Sequence, residues 1–354
     1  MLKVGIIGAG SISVRHLNAY TQNPHVQVVA IADLNEALAK ERAQAFNLEK
    51  CYTDYRLILE DNEIDAISIA TPTFTHCNIT IEALKAGKHV ICEKPPALTV
   101  KETKLMVETA KETGKLLMFG FVVRFNPATA LLKDYIDSGK MGPIYHAEVM
   151  RLSRYSVLRG WFADKTKSGG GMLMDAAIHQ IDQVMYLMGY PKVKEVLGFA
   201  TTINNDLAGK IKGQKIGYVS SDQNQLERSI ESMSSGYVVL DNGARIYIKA
   251  GSINYSVSKG VCIELVGKDG GIKLDGNSEI TMLSNVNDYL VESKPIIESG
   301  SVPFESQINH FVDCCINNTP CICEGWQAIE LMKIFEGIYQ SAETGKAVHY
   351  DTEA

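Results

Sequence analysis

The chain reads as an α/β protein built from two different sheets. Three observations predict this. Over the first 120 residues, short and nearly continuous apolar runs alternate with helical patterns. After about residue 122 the alternation stops, and strand-like runs follow one another with hairpin signals between them. The length, 354 residues, suggests two domains at roughly 100–200 residues each. The expected division is 1–122 and 123–354.

The elements follow in order. Residues 2–7 form a first apolar strand. Residues 14–23 have helical spacing and are stopped by Pro24, and 26–32 is a β-branched strand. Residues 36–46, rich in Ala, Leu, Glu and Lys, read as a helix. Strands at 64–70, 89–92 and 116–120 alternate with helices at 75–86 and 100–113. Repeated β-α-β units with apolar strands mean a parallel sheet covered on both faces. Beyond it, 126–138 is a helix, 144–153 alternates like a long strand, and 170–188 is a helix. From 193 to 284 the runs read as an antiparallel sheet. Asp241-Asn242-Gly243 suggests a type I′ hairpin turn, and Asp269-Gly270-Gly271 marks a second hairpin. The polar stretch 204–228 reads as a loop or insertion. Helices at 305–317 and 326–344 close the chain.

Composition sets the outer bounds. Hydrophobic residues make up 45% and charged residues 21%, an ordinary globular balance that argues against disorder. The net charge of −6 argues against a nucleic-acid partner. No apolar run is long enough to span a membrane, and the N-terminus lacks a signal peptide's basic region and cleavage site. A cytoplasmic location is expected, with no membrane partner. Of eight cysteines, Cys314, Cys315, Cys321 and Cys323 lie close together. Adjacent or one-apart pairs suit a four-ligand zinc tetrahedron poorly. They read as reduced thiols at a helix end and the following turn, and no metal is expected.

Gly8-Ala9-Gly10-Ser11-Ile12-Ser13 follows the first strand and opens a helix. Gly8 permits a tight turn, and Gly10 lets the backbone approach a pyrophosphate. Ser11 and Ile12 lie at the helix N-terminus, where free N–H groups favour an anion. Ser13 replaces the third glycine of the G-x-G-x-x-G pattern. Asp33, at the end of the second strand, is placed to accept hydrogen bonds from the ribose hydroxyls and would repel a 2′-phosphate. Leu34 and Asn35 follow it, with no arginine at hand. These residues predict a Rossmann dinucleotide-binding domain that prefers NAD to NADP.

Two further segments carry chemistry. Cys92-Glu93-Lys94-Pro95-Pro96 lies at the carboxyl end of a parallel strand, where ligands of open α/β sheets bind. Farther along, Gly169-Gly170-Gly171 leads into a helix bearing Asp175, His179 and Asp182 at i, i+4 and i+7. That helix has no Lys, Arg or Glu between Ser168 and Pro191. A solvated face would usually contain some, so a partly enclosed polar site is expected. The plainer alternative is a satisfied core histidine with a capping aspartate.

Together these residues resemble the Gfo/Idh/MocA oxidoreductases. The matching stretches are Gly8-Ala9-Gly10 with Asp33, Thr71-Pro72-Thr73-Phe74-Thr75-His76, and Glu93-Lys94-Pro95. They continue with Gly120 through Arg124-Phe125-Asn126-Pro127, Gly169 to Gly171 with Asp175 and His179, and 341–346. The resemblance covers essentially the whole chain. It implies a Rossmann domain followed by an α/β domain whose open, mainly antiparallel sheet often serves as a homo-oligomer interface. It implies NAD(P)-dependent oxidation of a secondary alcohol on a sugar, glycoside or cyclitol, or the reverse reduction. His179 is then the general base, Lys94 stabilises the reacting oxygen, and Asp175 orients substrate or His179. Thr71, Thr73, His76 and Glu93 would serve the cofactor, with Thr73 standing where many relatives have asparagine. Arg124 and Asn126 would meet substrate. Relatives often have a cis bond before the proline of Glu93-Lys94-Pro95. Tyr155, Arg159, Trp161 and Phe162 precede the Asp–His helix and are placed to stack on or hydrogen-bond a sugar ring; a packed loop is the alternative.

Four functions fit these readings. The leading one is an NAD-dependent dehydrogenase. The others are a redox-neutral enzyme that retains NAD, an NAD-dependent glycosidase, and a cofactor-bound regulator without catalysis.

Overall fold

The computed structural model describes all residues except 155, 208–209, 211, 213–214, 217–227, 277–278, 298–301 and 352–354. The chain begins with β1 (Leu2–Ile7), α1 (Ser11–Thr21), β2 (Val26–Ala32), α2 (Glu36–Ala45), β3 (Lys50–Tyr52) and α3 (Arg56–Leu59). Next come β4 (Ala66–Ile69), α4 (Thr73–Lys85), β5 (His89–Cys92), α5 (Val100–Thr113) and β6 (Leu117–Phe119). The six strands are all parallel, in the order β3-β2-β1-β4-β5-β6. The order reverses between β1 and β4, so loops from both halves of the sheet part there. Every residue of β4 is buried, as the continuous apolar run requires. Helix α5 is fixed at both ends: Thr99 and Glu102 form a capping box, and Gly114 closes it in the left-handed region at φ 63°.

The second half runs α6 (Pro127–Asp137), β7 (Ile144–Ser153), β8 (Ser156–Val157), α7 (Lys165–Ser168), α8 (Ile178–Leu187), β9 (Val193–Thr201) and β10 (Lys215–Ile216). Then follow β11 (Met233–Leu240), β12 (Arg245–Ser252), β13 (Gly260–Gly267), β14 (Gly270–Asp275), β15 (Ile280–Val286) and β16 (Tyr289–Ser293). Helices α9 (Pro303–Asn317) and α10 (Gly325–Thr344) and a short β17 (Val348–His349) complete the chain. The large sheet has nine strands in the order β16-β15-β14-β13-β7-β12-β11-β9-β17. Only the β7–β12 pair is parallel. Ala147, Val149, Val196, Val238, Ile246 and Ile248 are buried on its inner side. Glycines let α10 lie close on that sheet: a Cβ on Gly198 would fall 2.5 Å from the Cα of Ile338, and one on Gly337 2.8 Å from Val196 Cβ.

Two expectations need correction. The division at 122–123 is close, but the second domain is not continuous. One compact unit comprises 1–125 and 301–329, the other 126–300 and 330–354. Helix α9 returns to the first unit because Ile308, Phe311 and Val312 form a buried stripe. Phe304 packs at 6.0 Å from the His16 ring, and Asn23 donates to Asn309. The hairpin at 241–243 is not type I′. Gly243 alone has positive φ, and its N–H donates to Leu240 O at 3.1 Å, giving a type I turn closed by a left-handed glycine. The polar stretch 204–228 is partly described: Asn205–Leu207 is a 3₁₀ turn, and β10 pairs with β8. The remainder of that expectation lies outside the described residues. Among the described residues no helix is long and apolar enough to cross a membrane.

Candidate active site

The cofactor candidates gather where β1 meets α1. Gly8 has φ 100°, and a Cβ there would fall 2.4 Å from Ala70 O, so only glycine fits. A Cβ on Gly10 would meet nothing within 4 Å. The space in front of this backbone is open, as a pyrophosphate needs. Gly10 is also the N-cap of α1 and has no side-chain cap, so the N–H groups of the first turn remain directed outward. Ser11 is exposed and Ile12 half-buried on that turn. Ser13 is buried, and its hydroxyl donates to Gly10 O at 2.7 Å, closing the place of the missing third glycine.

Asp33 is held by backbone: Oδ2 accepts from Ala9 N at 2.7 Å, and Oδ1 from Asn35 N at 2.8 Å. A carboxylate has about four acceptor positions, so capacity for ribose hydroxyls is left. Leu34 beside it is 94% exposed. The donor and acceptor set therefore fits NAD.

A buried polar network supports this cradle within the first unit. His16, on the inner face of α1, is 2.6 Å from Ser68 Oγ through Nδ1 and 2.8 Å from Glu93 Oε1 through Nε2. Glu93 Oε2 accepts from Lys94 N at 3.2 Å. The Lys94–Pro95 bond is cis. Gly120 leaves room for the carboxylate, because a Cβ there would stand 2.9 Å from Glu93 Oε1. Glu93 is thus a buried anchor for the lysine turn, and Lys94 itself is half-buried.

His76 plays a similar part, placing backbone where the sequence suggested a cofactor contact. Its two ring nitrogens lie 2.9 Å from Thr71 O and 2.8 Å from Pro95 O. It joins the Thr71 turn to the lysine turn. Burial draws its pKa below the usual value, against the two carbonyls that favour its proton. Thr73 is 2% exposed at the start of α4, and Thr71 is half-buried with its hydroxyl 2.7 Å from that of Thr75.

In the second unit, the helix expected at 170–188 begins with a π-helical turn, Leu173–Ala177, before α8. Such turns often mark functional positions. Asp175, Ala176, His179 and Gln180 are half-buried, whereas Leu173, Met174, Ala177, Ile178 and Ile181 are buried. Asp175 and His179 therefore share the accessible side. Asp182 does not: it is 1% exposed, and its Oδ1 accepts from Tyr190 Oη at 2.7 Å. Arg151 on β7 faces the Asp175 charge; burial lowers the guanidinium pKa and Asp175 acts against that.

The glycine triplet has a partner the sequence did not reveal. Glu231, 3% exposed, accepts from Gly171 N at 2.8 Å, Leu173 N at 3.1 Å and Tyr339 Oη at 3.0 Å. These bonds hold the first residues of the π turn. A Cβ on Gly170 would fall 1.9 Å from Tyr339 Oη, and one on Gly171 would fall 2.8 Å from Glu231 O. Burial raises the Glu231 pKa against its four hydrogen-bond contributions.

The substrate candidates fare unevenly. Arg124 is 2% exposed and donates to Ile322 O and to Gln327 Oε1, the latter at 2.5 Å, over the Phe121 ring. It clamps the return loop, which does not fit substrate contact. Asn126 caps α6 by accepting from Ala128 N at 2.9 Å. Trp161 stacks on Phe162 at 3.7 Å, so part of its surface is already covered. Tyr155 lies outside the described residues.

Comparisons with known proteins bear on the family and the fold. Residues 2–121 match the model of an oxidoreductase family with an NAD-binding Rossmann fold, and 133–350 match that family's C-terminal alpha/beta domain. The D-glucoside 3-dehydrogenase of Escherichia coli (strain K12) is 29% identical, over 98% of this chain and 97% of that protein. The scyllo-inositol 2-dehydrogenase (NAD(+)) of Bacillus subtilis (strain 168) is 29% identical over 91% and 89%. A levoglucosan dehydrogenase in complex with NADH superposes with a TM-score of 0.85 at 26% identity, covering 99% of both chains.

Proposed function

Since the chain belongs to the Gfo/Idh/MocA oxidoreductases and its N-terminal domain binds NAD, we propose that it oxidises a secondary hydroxyl of a sugar, glycoside or cyclitol, or runs the reverse reduction. The observation that carries this reading is the accessible pair Asp175 and His179 on a helix whose neighbouring residues are buried. An ordinary core histidine would lie on the buried side. The similarity to a D-glucoside 3-dehydrogenase over nearly the whole chain supports a pyranoside hydroxyl.

Bound NAD supplies a hydride acceptor at nicotinamide C4. The Gly8–Gly10 turn and the α1 N-terminus would hold its pyrophosphate, and Asp33 would accept from the ribose hydroxyls. His179 takes the hydroxyl proton as the carbon–hydrogen bond breaks with its electron pair. Lys94 stands beside the oxygen and stabilises the negative charge that develops there. Asp175 orients the imidazole or a neighbouring substrate hydroxyl. Lys94 belongs to the first unit, and Asp175 and His179 belong to the second.

The test is a panel of sugars, glycosides and cyclitols with NAD, followed by NADH absorbance and product mass. His179→Ala and Lys94→Ala should each lower kcat by about 10²–10⁴-fold. Unchanged turnover in both variants would sink the assignment. Interconversion of sugar and oxo-sugar without free NADH would instead identify an enzyme that retains its cofactor.

The large sheet also supports a homo-oligomer. Leu197, Tyr237 and Tyr247 stand opposite one another on β9, β11 and β12, and are 51%, 43% and 40% exposed. Phe199 extends this apolar outer face at 54%.

A further inference from the structure

Helix α9 ends against a loop that returns toward it, and a cluster of soft ligand atoms lies between them. His310 and Cys314 are i and i+4 on α9 and share one face. Asn318 then turns the chain at φ 55°, and Cys321 comes back from the loop. One ligand atom from each of His310, Cys314 and Cys321 lies within 4.8 Å of the others. Cys314 is buried, and the other two are half-buried.

We propose that His310, Cys314 and Cys321 form a binding site for a thiophilic divalent cation, zinc, that fastens the 318–325 loop to α9. Four features support it. First, the spacing fits. Zinc binds nitrogen at about 2.0–2.1 Å and thiolate at about 2.3 Å; at a tetrahedral angle this puts N and S about 3.6 Å apart. His310 Nε2 and Cys314 Sγ are 3.5 Å apart. Second, the lone pair is on the correct nitrogen. Ile322 N donates to His310 Nε2 at 3.1 Å, which places the ring proton on Nδ1. Metal binding exchanges that hydrogen bond for a coordinate bond. Third, charge balances, since two thiolates and a neutral imidazole neutralise a divalent ion. Their protons leave to solvent on binding. Fourth, the surroundings are held on both sides of the Ile322 N–H, which turns away when the ion binds. Phe125 packs at 5.5 Å from the His310 ring, and Arg124 and Gln327 hold Ile322 and Glu324 of the loop. Three protein ligands leave one coordination place for water.

The test reads metal binding directly and needs no turnover. The reduced full chain, handled under argon, is titrated with Co²⁺ and then with Zn²⁺ against a chromogenic chelator. One equivalent of Co²⁺ should give a thiolate charge-transfer band that Zn²⁺ abolishes. Second-sphere changes cost about 10–100-fold in affinity, so loss of a direct ligand should cost more than about 100-fold. Cys321→Ser and His310→Gln should show that loss, while Cys51→Ser, on β3, should not. Chelation should lower the melting temperature of the parent and leave that of Cys321→Ser unchanged. Equal zinc affinity in parent and Cys321→Ser, a cobalt spectrum without a thiolate band, or a Cys314–Cys321 disulfide in the anaerobic protein would each overturn the proposal.

Discussion

Gly170→Ala is a sharp probe of how the Asp175–His179 helix is held. The added methyl would fall 1.9 Å from Tyr339 Oη, 2.8 Å from its Cζ and 3.0 Å from Met174 Cγ. The phenol must move, and its bond to Glu231 Oε2 is then lost. Overpacking costs roughly 1–3 kcal/mol. A hydrogen bond to a charged group contributes about 1.5–3 kcal/mol. Tyr339 borders a cavity of about 280 Å³, so the ring has somewhere to go and the packing cost falls at the low end. The expected loss is therefore about 3 kcal/mol, or ~6–12 °C for a domain of this size. Because Glu231 holds Gly171 and Leu173, the π turn shifts as well. Displacing Asp175 and His179, the proposed catalytic pair, should lower kcat by up to about 100-fold, with little change in the KM for NAD, whose proposed cradle lies in the first unit. The assay is thermal melting and NADH formation for Gly170→Ala, Tyr339→Phe and the double variant. Both single changes break the same Tyr339–Glu231 bond, so the double should cost about 1.5 kcal/mol less than their sum. Strict additivity, or a melting point within ~2 °C of the parent for Gly170→Ala, refutes the reasoning.

Other predictions concern the cofactor, pH and assembly. Asp33→Ala removes the proposed ribose acceptor and should raise the KM for NAD about tenfold or more, while narrowing the preference over NADP; an unchanged NAD/NADP ratio would remove Asp33 from the site. Burial lowers the His76 pKa in the folded chain, whereas the unfolded chain protonates near 6.5. Its contribution is full above about pH 6.5 and declines as pH falls, by at most about 1.4 kcal/mol per pH unit. Urea midpoints should drop from pH 7.5 to 5.5, and His76→Gln should flatten that slope; equal slopes would count against it. If the outer sheet face joins copies of the chain as proposed, Phe199→Arg with Tyr237→Arg should reduce the native mass to smaller species, and an unchanged mass would count against that face as an interface.

Much of the fold was legible because it rests on local signals. The apolar runs of β1, β2, β4 and β5 and the helical periods of α4 and α5 depend on residues a few positions apart. β3 and α3, three and four residues long, are too short to carry a period. The discontinuity of the second unit is not local in the same way. Nothing within α9 says which unit its Ile308–Phe311–Val312 stripe will cover. Likewise Arg124 lies in a family motif beside Asn126, yet its partners Ile322 and Gln327 are about 200 positions away.

The site shows the same division between local and distant causes. Gly8, Gly10 and Asp33 lie within one β-α-β unit, and their spacing in sequence already describes the cradle. His16 carries no local signal because it lies among the buried residues of α1 beside Leu17 and Tyr20; its carboxylate partner is 77 positions away. Glu231 follows a polar segment with no periodicity, and its partners are 60 and 108 positions distant. Even so, these distant groups leave local traces. Gly120 is small because of Glu93, Gly170 because of Tyr339, and Gly171 because of Glu231. Gly169 alone of its triplet is required by its own backbone, at φ 82°. A glycine run before a polar helix thus points to bulky buried partners elsewhere in the chain. The search it prompts is for a carboxylate able to receive the N–H groups at the start of that helix.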